Sequence, residues 1–310
     1  MCVPEYRSRA KISDRDTIIA ILPFWHNFGL FACLTSSFIS NCTLLTMSEW
    51  NVDFFYEAYE TRNVSIFPGS PYMYTDIVKS KKICSLERLK ICDCGGDFLA
   101  TIYFKEFEKM TNAVIVEGYG LTETTSLTHY NINKKFRRIG SIGKAVSGAK
   151  CKIVDREGNK VKPGTWGILW IKGPMVSPGY VNGLINKKWF NTGDIATVKK
   201  HYYYIAGRQS DLINLKENVD ITRIIENYIY EKYMCDKVFI EFIGQKNYII
   251  EMKIYIEIRQ NYSKTDIIND LEVKFNSIKL IDLIILEKLA KTATGKVQRN
   301  LLLDIKKESK

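Results

Sequence analysis

An α/β protein is predicted: a partial parallel α/β sheet subdomain, then a small antiparallel, barrel-like β subdomain, then a C-terminal α+β domain. Three observations predict it. Short apolar runs alternate with stretches of helical length up to about Asn133, the texture of a parallel sheet. Beyond Asn133, brief strand-like runs are separated by Gly and Pro turns, which suits a small antiparallel sheet or barrel. From about Asp211, longer helices and strands return. The divisions fall at residues 1–135, 136–210 and 211–310.

Each element follows from local pattern. IIAILPF (18–24) is an apolar run ended by proline, hence a buried strand. GLFACLTSSFIS (29–40) has helical length and CTLLTM (42–47) is strand-like. WNVDFFYEAYETRN (50–63) reads as an amphipathic helix and VSIFPG (64–69) as a strand into a turn. Residues 70–82 and 98–110 are predicted helices, and LKICDCGG (89–96) and AVIVEGYG (113–120) strands running into glycine loops. In the middle region, REGN (156–159) is a hairpin turn. The last region carries predicted helices at 221–233 and 264–277 and strands at 236–243, 247–258 and 280–286. Ligands of parallel sheets bind at the carboxyl ends of strands. The PFWHNFG segment and the glycine loops at 95–96 and 118–120 all lie there.

Composition excludes several classes. Hydrophobic residues make up 46% and charged residues 25% of 310, as in a folded globular chain. The net charge of +11 comes from scattered lysines, with no basic aromatic platform or recognition helix, so no nucleic-acid partner is expected. Eight scattered cysteines form neither a zinc pattern nor a disulfide framework and fit reduced thiols in a cytoplasm. MCVPEYRSRAKISDRD is too charged for a signal peptide. The uncharged run 17–48 is interrupted by Pro23, His26, Asn27 and Gly29, so no transmembrane segment is expected.

Three constellations carry chemistry. In VEGYGLTETTS (116–126), the glycines admit close backbone approach, Tyr119 offers a flat face, and Glu123 a hard oxygen suited to Mg²⁺. In WFNTGDIA (189–196), the Asp194 carboxylate has two acceptor oxygens and matches the two hydroxyls of a ribose. Arg208 follows in YYYIAGRQSDLI (202–213), and Asp211 sits where the texture changes, a natural hinge position. Taken alone, the first also reads as a capped turn, the second more readily as a turn aspartate, and Arg208 as part of a surface ion pair. KTATGKVQR (291–299) has a Gly-Lys pair but is no Walker loop, since Val297 stands where Ser or Thr is needed.

The ordered series HNFG, CGGDFL, GYGLTE, TGD, GRQSDLI, KTATGKVQR resembles the adenylate-forming (AMP-binding) superfamily, in particular fatty-acid, coumarate and luciferase-type acyl-CoA synthetases. The stretch from Arg138 to Asn182 agrees with that family's linking region, and the likeness runs from about Asp16 to Arg299. The resemblance implies a two-step ligase. A carboxylic acid substrate attacks the α-phosphate of ATP, giving an acyl-adenylate; a thiol of coenzyme A, or of carrier-protein phosphopantetheine, then displaces AMP. It implies that a mobile C-terminal lid domain, turning at Asp211, delivers Lys296 to the charge that builds up in the first step. Gly95, Gly96 and Asp97 match the loop beside adenine, and Gly118, Tyr119, Gly120, Leu121 and Thr122 the strand end lining the adenylate. Glu123 matches the Mg²⁺ ligand, Asp194 the ribose carboxylate, Arg208 its neighbour, and His26 a gate near the acyl pocket. A medium or long fatty acid is the expected substrate.

The chain departs from the pattern in places. The family's TSGTTGxPKG phosphate loop is absent upstream of the histidine segment, so an exposed apolar face and a separate N-terminal chain supplying the loop are expected, and the isolated chain is expected to show little carboxylate-dependent ATP–pyrophosphate exchange. DLINLKENVDITRIIE (211–226) replaces the usual DxIKVxGxxVxPxEIE, with Asn214, Glu217 and Thr222 at changed positions, and Ala290 replaces a proline. The competing expectation is an inactive remnant that binds nucleotide or a protein partner.

Overall fold

The computed structural model describes residues 11–82, 84–181, 183–184, 189–212, 219–246, 249–292, 294–298 and 301–302. Two compact units divide the chain, Met1–Ile205 and Ala206–Lys310. In the first, β1 (Thr17–Ala20), a π-helical turn (Gly29–Thr35), α1 (Ser36–Ser40), β2 (Thr43–Thr46), α2 (Val52–Thr61), β3 (Ile66–Gly69), α3 (Pro71–Lys79), β4 (Ile91–Cys94), α4 (Thr101–Thr111) and β5 (Ile115–Tyr119) follow in order. The short strands β6 (His129–Tyr130) and β7 (Lys144–Ala145) complete a seven-stranded sheet ordered β2-β1-β3-β4-β5-β6-β7. The first five strands pair in parallel and the last two add antiparallel.

The apolar runs form the interior of this sheet: β1, β3 and β4 are buried at every position, whereas the edge strand β2 is exposed or half-exposed throughout. Ile18, Ile19, Ile66 and Ile115 are fully buried, and Phe55, Phe67, Tyr74 and Phe107 pack in a chain of ring contacts under α2, α3 and α4. Asn51 starts α2 by accepting from the amides of Asp53 and Phe54, and Pro71 opens α3 where no amide donor is needed. The large exposed apolar side chains of this part include Trp25, Phe38, Ile39, Phe54, Phe136 and Ile139. The predicted helix over 29–40 opens as a wider π turn. Thr35 and Ser36 hydroxyls donate to the carbonyls of Leu30 and Phe31, five residues back, which accompanies that widening. The 17–48 run is thus strand, loop, helix and strand, and no helix among the described residues is long and apolar enough to cross a membrane.

A second sheet holds β8 (Lys150–Val154), β9 (Gly167–Lys172), β12 (Phe190–Lys199) and β13 (Tyr202–Arg208), ordered β13-β12-β9-β8. The predicted REGN turn closes with the Asp155 amide donating to the Asn159 carbonyl at 2.9 Å. The hairpin β10 (Gly179–Tyr180) and β11 (Gly183–Leu184) lies between β9 and β12 in sequence.

The second unit begins inside β13 and contains α5 (Gln209–Leu212), α6 (Ile221–Tyr233), β14 (Lys237–Lys246), β15 (Ile249–Glu257), α7 (Lys264–Lys274) and β16 (Ile278–Leu286). Its sheet is ordered β14-β15-β16, antiparallel then parallel. The changed positions Asn214 and Glu217 lie outside the described residues.

Candidate functional site

Three loops at the carboxyl ends of parallel strands meet in the first unit. After β1, His26 is half-buried, with Nδ1 accepting from the Phe28 amide at 3.2 Å. Asn27 donates from Nδ2 to the Thr122 carbonyl at 3.2 Å, tying this loop to the one after β5. After β4, a Cβ on Gly95 would stand 3.3 Å from both the Phe28 ring and the Gly118 carbonyl, so glycine lets these three pieces close up. Asp97 accepts from the Phe98 amide at 2.8 Å, and Gly96 is exposed beside it. After β5, Gly120 allows residues 121–126 to fold back: its Cβ would fall 1.0 Å from the Ser126 carbonyl oxygen, a space no side chain shares. Leu121 accepts at its carbonyl from the Thr124 amide at 3.1 Å, starting the 3₁₀ turn Thr122–Thr124. Burial pushes the Glu117 carboxyl up to about 8, against the opposing pull of the Gly140 amide and Arg137.

TGD sits on a β-bulge. Asn191 pairs with Trp170 and Ile195 with Ile168, so three residues of β12 oppose one of β9. Gly193 adopts φ 70°, and Thr192 donates to the Leu169 carbonyl at 2.8 Å while accepting from the Asp194 amide at 3.1 Å. The bulge turns the buried Asp194 carboxylate toward β5, where Oδ2 accepts from the Tyr119 hydroxyl at 2.5 Å. Two residues 75 apart in sequence are thereby joined, and Tyr119 is held in one orientation.

Behind Tyr119 lies His129, fully buried between the rings of Tyr119 and Tyr203 at centroid distances of 5.7 and 4.6 Å. Its Nδ1 pairs with the Thr128 hydroxyl at 3.0 Å and its Nε2 has no partner among the described residues. Burial pushes its pKa down to about 3, so the folded protein holds it neutral while the unfolded chain takes up a proton near 6.5. The stability that depends on neutral His129 is complete above pH 6.5 and is lost as pH falls toward 3. The expected slope is up to about 1.4 kcal/mol per pH unit. Urea denaturation at stepped pH should show this component in the wild type and not in His129→Gln; parallel acid limbs would contradict it.

Glu123 is half-buried on the 3₁₀ turn. Its Oε1 accepts from the Tyr180 hydroxyl at 2.8 Å, and its backbone carbonyl from the Ser177 amide at 2.7 Å. No cluster of three or more His, Cys, Asp or Glu side chains able to hold a metal occurs among the described residues. Mg²⁺ is commonly held by one or two carboxylates plus phosphates, so a lone reachable carboxylate fits that ion.

Three site residues lie in the second unit. Arg208 ends β13 and is half-buried; Asp211 falls in α5, its side chain outside the described residues. Lys296 is exposed on a tight hairpin: the Thr292 amide donates to the Lys296 carbonyl at 2.8 Å, the Gly295 amide to the Thr292 carbonyl at 2.9 Å, and Gly295 has φ 83°, a backbone state that favours glycine. The hairpin is moored by Lys291, whose Nζ reaches both oxygens of the buried Glu257 at 2.9 and 2.7 Å.

Residues 2–181 match the family described as AMP-binding enzyme. The chain belongs to that family. Curated relatives of this AMP-binding chain include the long-chain-fatty-acid–CoA ligase of Bacillus subtilis, 25% identical over 95% of this chain and 55% of the relative. The 4-coumarate–CoA ligase-like 9 of Arabidopsis thaliana is 30% identical over 63% of this chain and 37% of its own length. Among solved structures, the ATP-bound RpMatB-BxBclM chimera B1 superposes with a TM-score of 0.85 at 19% identity, covering 98% of this chain and 63% of that one. The O-succinylbenzoate coenzyme A synthetase of Bacillus subtilis with ATP and magnesium gives 0.81 at 20% identity, over 98% and 64%. These likenesses are of fold. The AMP-binding chain thus spans about half the length of the B. subtilis ligase.

Sequence reading missed three features of this AMP-binding chain: the Tyr119–Asp194 bond, the Asn27 tie and the Tyr180–Glu123 contact. In GPMVSPGYVNG, the Tyr that follows a Pro-Gly turn is the sequence signal for the last of these.

Proposed function

We propose that the chain carries the nucleotide-binding and lid portions of an ATP-dependent acyl-activating ligase. The Tyr119–Asp194 bond supports the reading most, because an aromatic ring and a carboxylate joined at the carboxyl end of β5 suit an adenine and a ribose. Asp194 receives the ribose hydroxyls, Tyr119 and the Gly95–Asp97 loop flank the adenine, and Arg208 neighbours the ribose. Glu123 would hold Mg²⁺, which when bound neutralises charge on the phosphates. The substrate carboxylate attacks the α-phosphate and pyrophosphate leaves, while Lys296 supplies positive charge to the crowded oxygens. In the second step a thiol attacks the acyl carbon and AMP leaves.

The acyl group in this reading is a medium or long fatty acid, supported by the fatty-acid ligase among the relatives, and His26 borders its entry. Coenzyme A is the acceptor, with carrier-protein phosphopantetheine as the other thiol of the same chemistry. Asp211 is the hinge of the lid. The free cysteines among the described residues suit a cytoplasmic protein. No TSGTTGxPKG-like stretch occurs in residues 1–310, so full exchange activity requires a phosphate loop from further polypeptide.

Acyl-sulfamoyl-adenosines, stable mimics of the acyl-adenylate, test the reading by calorimetry. Palmitoyl and octanoyl compounds should bind at least about tenfold tighter than the benzoyl compound, a difference of about 1.4 kcal/mol. Tighter benzoyl binding would shift the substrate class to aryl acids, and no binding by any would sink the ligase reading.

A further inference from the structure

The segment 175–180 grips Glu123 twice. Ser177 donates its amide to the Glu123 carbonyl at 2.7 Å, and Tyr180 donates its hydroxyl to Oε1 at 2.8 Å across 57 residues of sequence. The grip is braced on both sides. Thr125, two residues past Glu123, donates its hydroxyl to the Met175 carbonyl at 2.8 Å. The Ser177 hydroxyl closes a small turn on Gly179, donating to its carbonyl at 3.1 Å and accepting its amide at 3.4 Å. Tyr180 then pairs with Gly183 across the β10–β11 hairpin.

We propose that Tyr180 is a positioning residue that holds the Glu123 carboxylate for a divalent cation. The proposal rests on the reading of Glu123 as the Mg²⁺ ligand and adds the residue that orients it. A glutamate side chain has three rotatable bonds, and an unrestrained carboxylate loses that freedom when it binds a metal. A donor fixed on Oε1 settles the rotamer beforehand. It leaves Oε2, which meets no donor among the described residues, to face the cation. Partners of this kind, hydrogen-bonded to a metal-binding side chain, typically change metal affinity 10- to 100-fold when removed. Tyr180 is 62% exposed, so the bond adds little to folding and its loss leaves the loop intact. That exposure separates it from a packing residue such as Tyr130 or Tyr74, whose removal would disturb the sheet.

The test follows Mn²⁺ by electron paramagnetic resonance as it joins the protein–ATP complex, alongside calorimetric ATP titrations at fixed Mg²⁺. Three proteins are compared: wild type, Tyr180→Phe and Glu123→Gln. Tyr180→Phe should raise the half-saturating cation concentration about 10-fold or more. Its ATP affinity at saturating cation and its melting temperature should match the wild type. Glu123→Gln should lose the cation-dependent part of ATP binding. If Tyr180→Phe titrates like the wild type while Glu123→Gln is impaired, Tyr180 has no positioning role and Glu123 keeps its own. If Glu123→Gln also titrates like the wild type, or the wild type takes up no ATP, the metal reading falls and the proposal with it.

Discussion

In the proposed reaction, replacing Lys296 by alanine should lower adenylation about 10²- to 10³-fold, the cost of removing one preorganised electrostatic contact from a developing oxyanion. Thioester formation from a preformed acyl-adenylate falls far less. The asymmetry follows from where charge builds up. In the first step, negative oxygens of the carboxylate and of the α-phosphate are forced together, and a fixed cation lowers that barrier. In the second step a thiol meets an acyl carbon already activated by its AMP leaving group, and the same cation has less to stabilise. The turn suits the task. Gly295 sets the hairpin, the Thr292 hydroxyl accepts from the Lys296 amide at 3.2 Å, and the side chain is left exposed. ATP–pyrophosphate exchange and thiolysis of supplied adenylate, measured in an assembly that supports exchange, separate the two steps. Equal losses in both would contradict the role given to Lys296.

Lys291→Met destabilises the second unit by about 3–5 kcal/mol, because it strands the Glu257 carboxylate in the interior. Glu257 ends β15 and is buried. One oxygen also accepts from the Leu289 amide at 3.0 Å, so the carboxylate fixes both the approach to the hairpin and its first residue. Lys291 itself is mostly buried, and its carbonyl accepts from the Gln298 side chain at 3.0 Å. The double change Glu257→Leu with Lys291→Met removes both charges together and should recover most of the loss, since a buried pair and an apolar pair of similar volume are often close in energy. Chemical denaturation of the wild type, Lys291→Met, Glu257→Leu and the double variant measures the coupling directly. Single variants within about 1 kcal/mol of the wild type would show that the pair does not anchor the hairpin.

Much of the fold was legible because its signals are local. Glycine follows β4 and β5 as predicted, β1 stops at Ala20, short of Pro23, and α6 covers the predicted Ile221–Tyr233. Boundaries moved where side chains bond to their own backbone. Helix α4 starts at Thr101 rather than 98, since Asp97 captures the Phe98 amide and Ala100 is still extended. The pairings that build the site were not legible. Tyr119 meets Asp194 only because a bulge skews β12, and bulges depend on the partner strand rather than on TGD itself. Tyr180 reaches Glu123 across 57 residues and Lys291 reaches Glu257 across 34, separations that no short window of sequence encodes.

If Tyr119 and Asp194 form the proposed nucleotide site, calorimetric titration of AMP into the wild type should show saturable binding. Asp194→Asn should bind about tenfold or more weakly, because a carboxylate that accepts from ribose hydroxyls is replaced by an amide that offers only one acceptor oxygen. Equal affinities in the two proteins, or no AMP binding by the wild type, would contradict the proposed site.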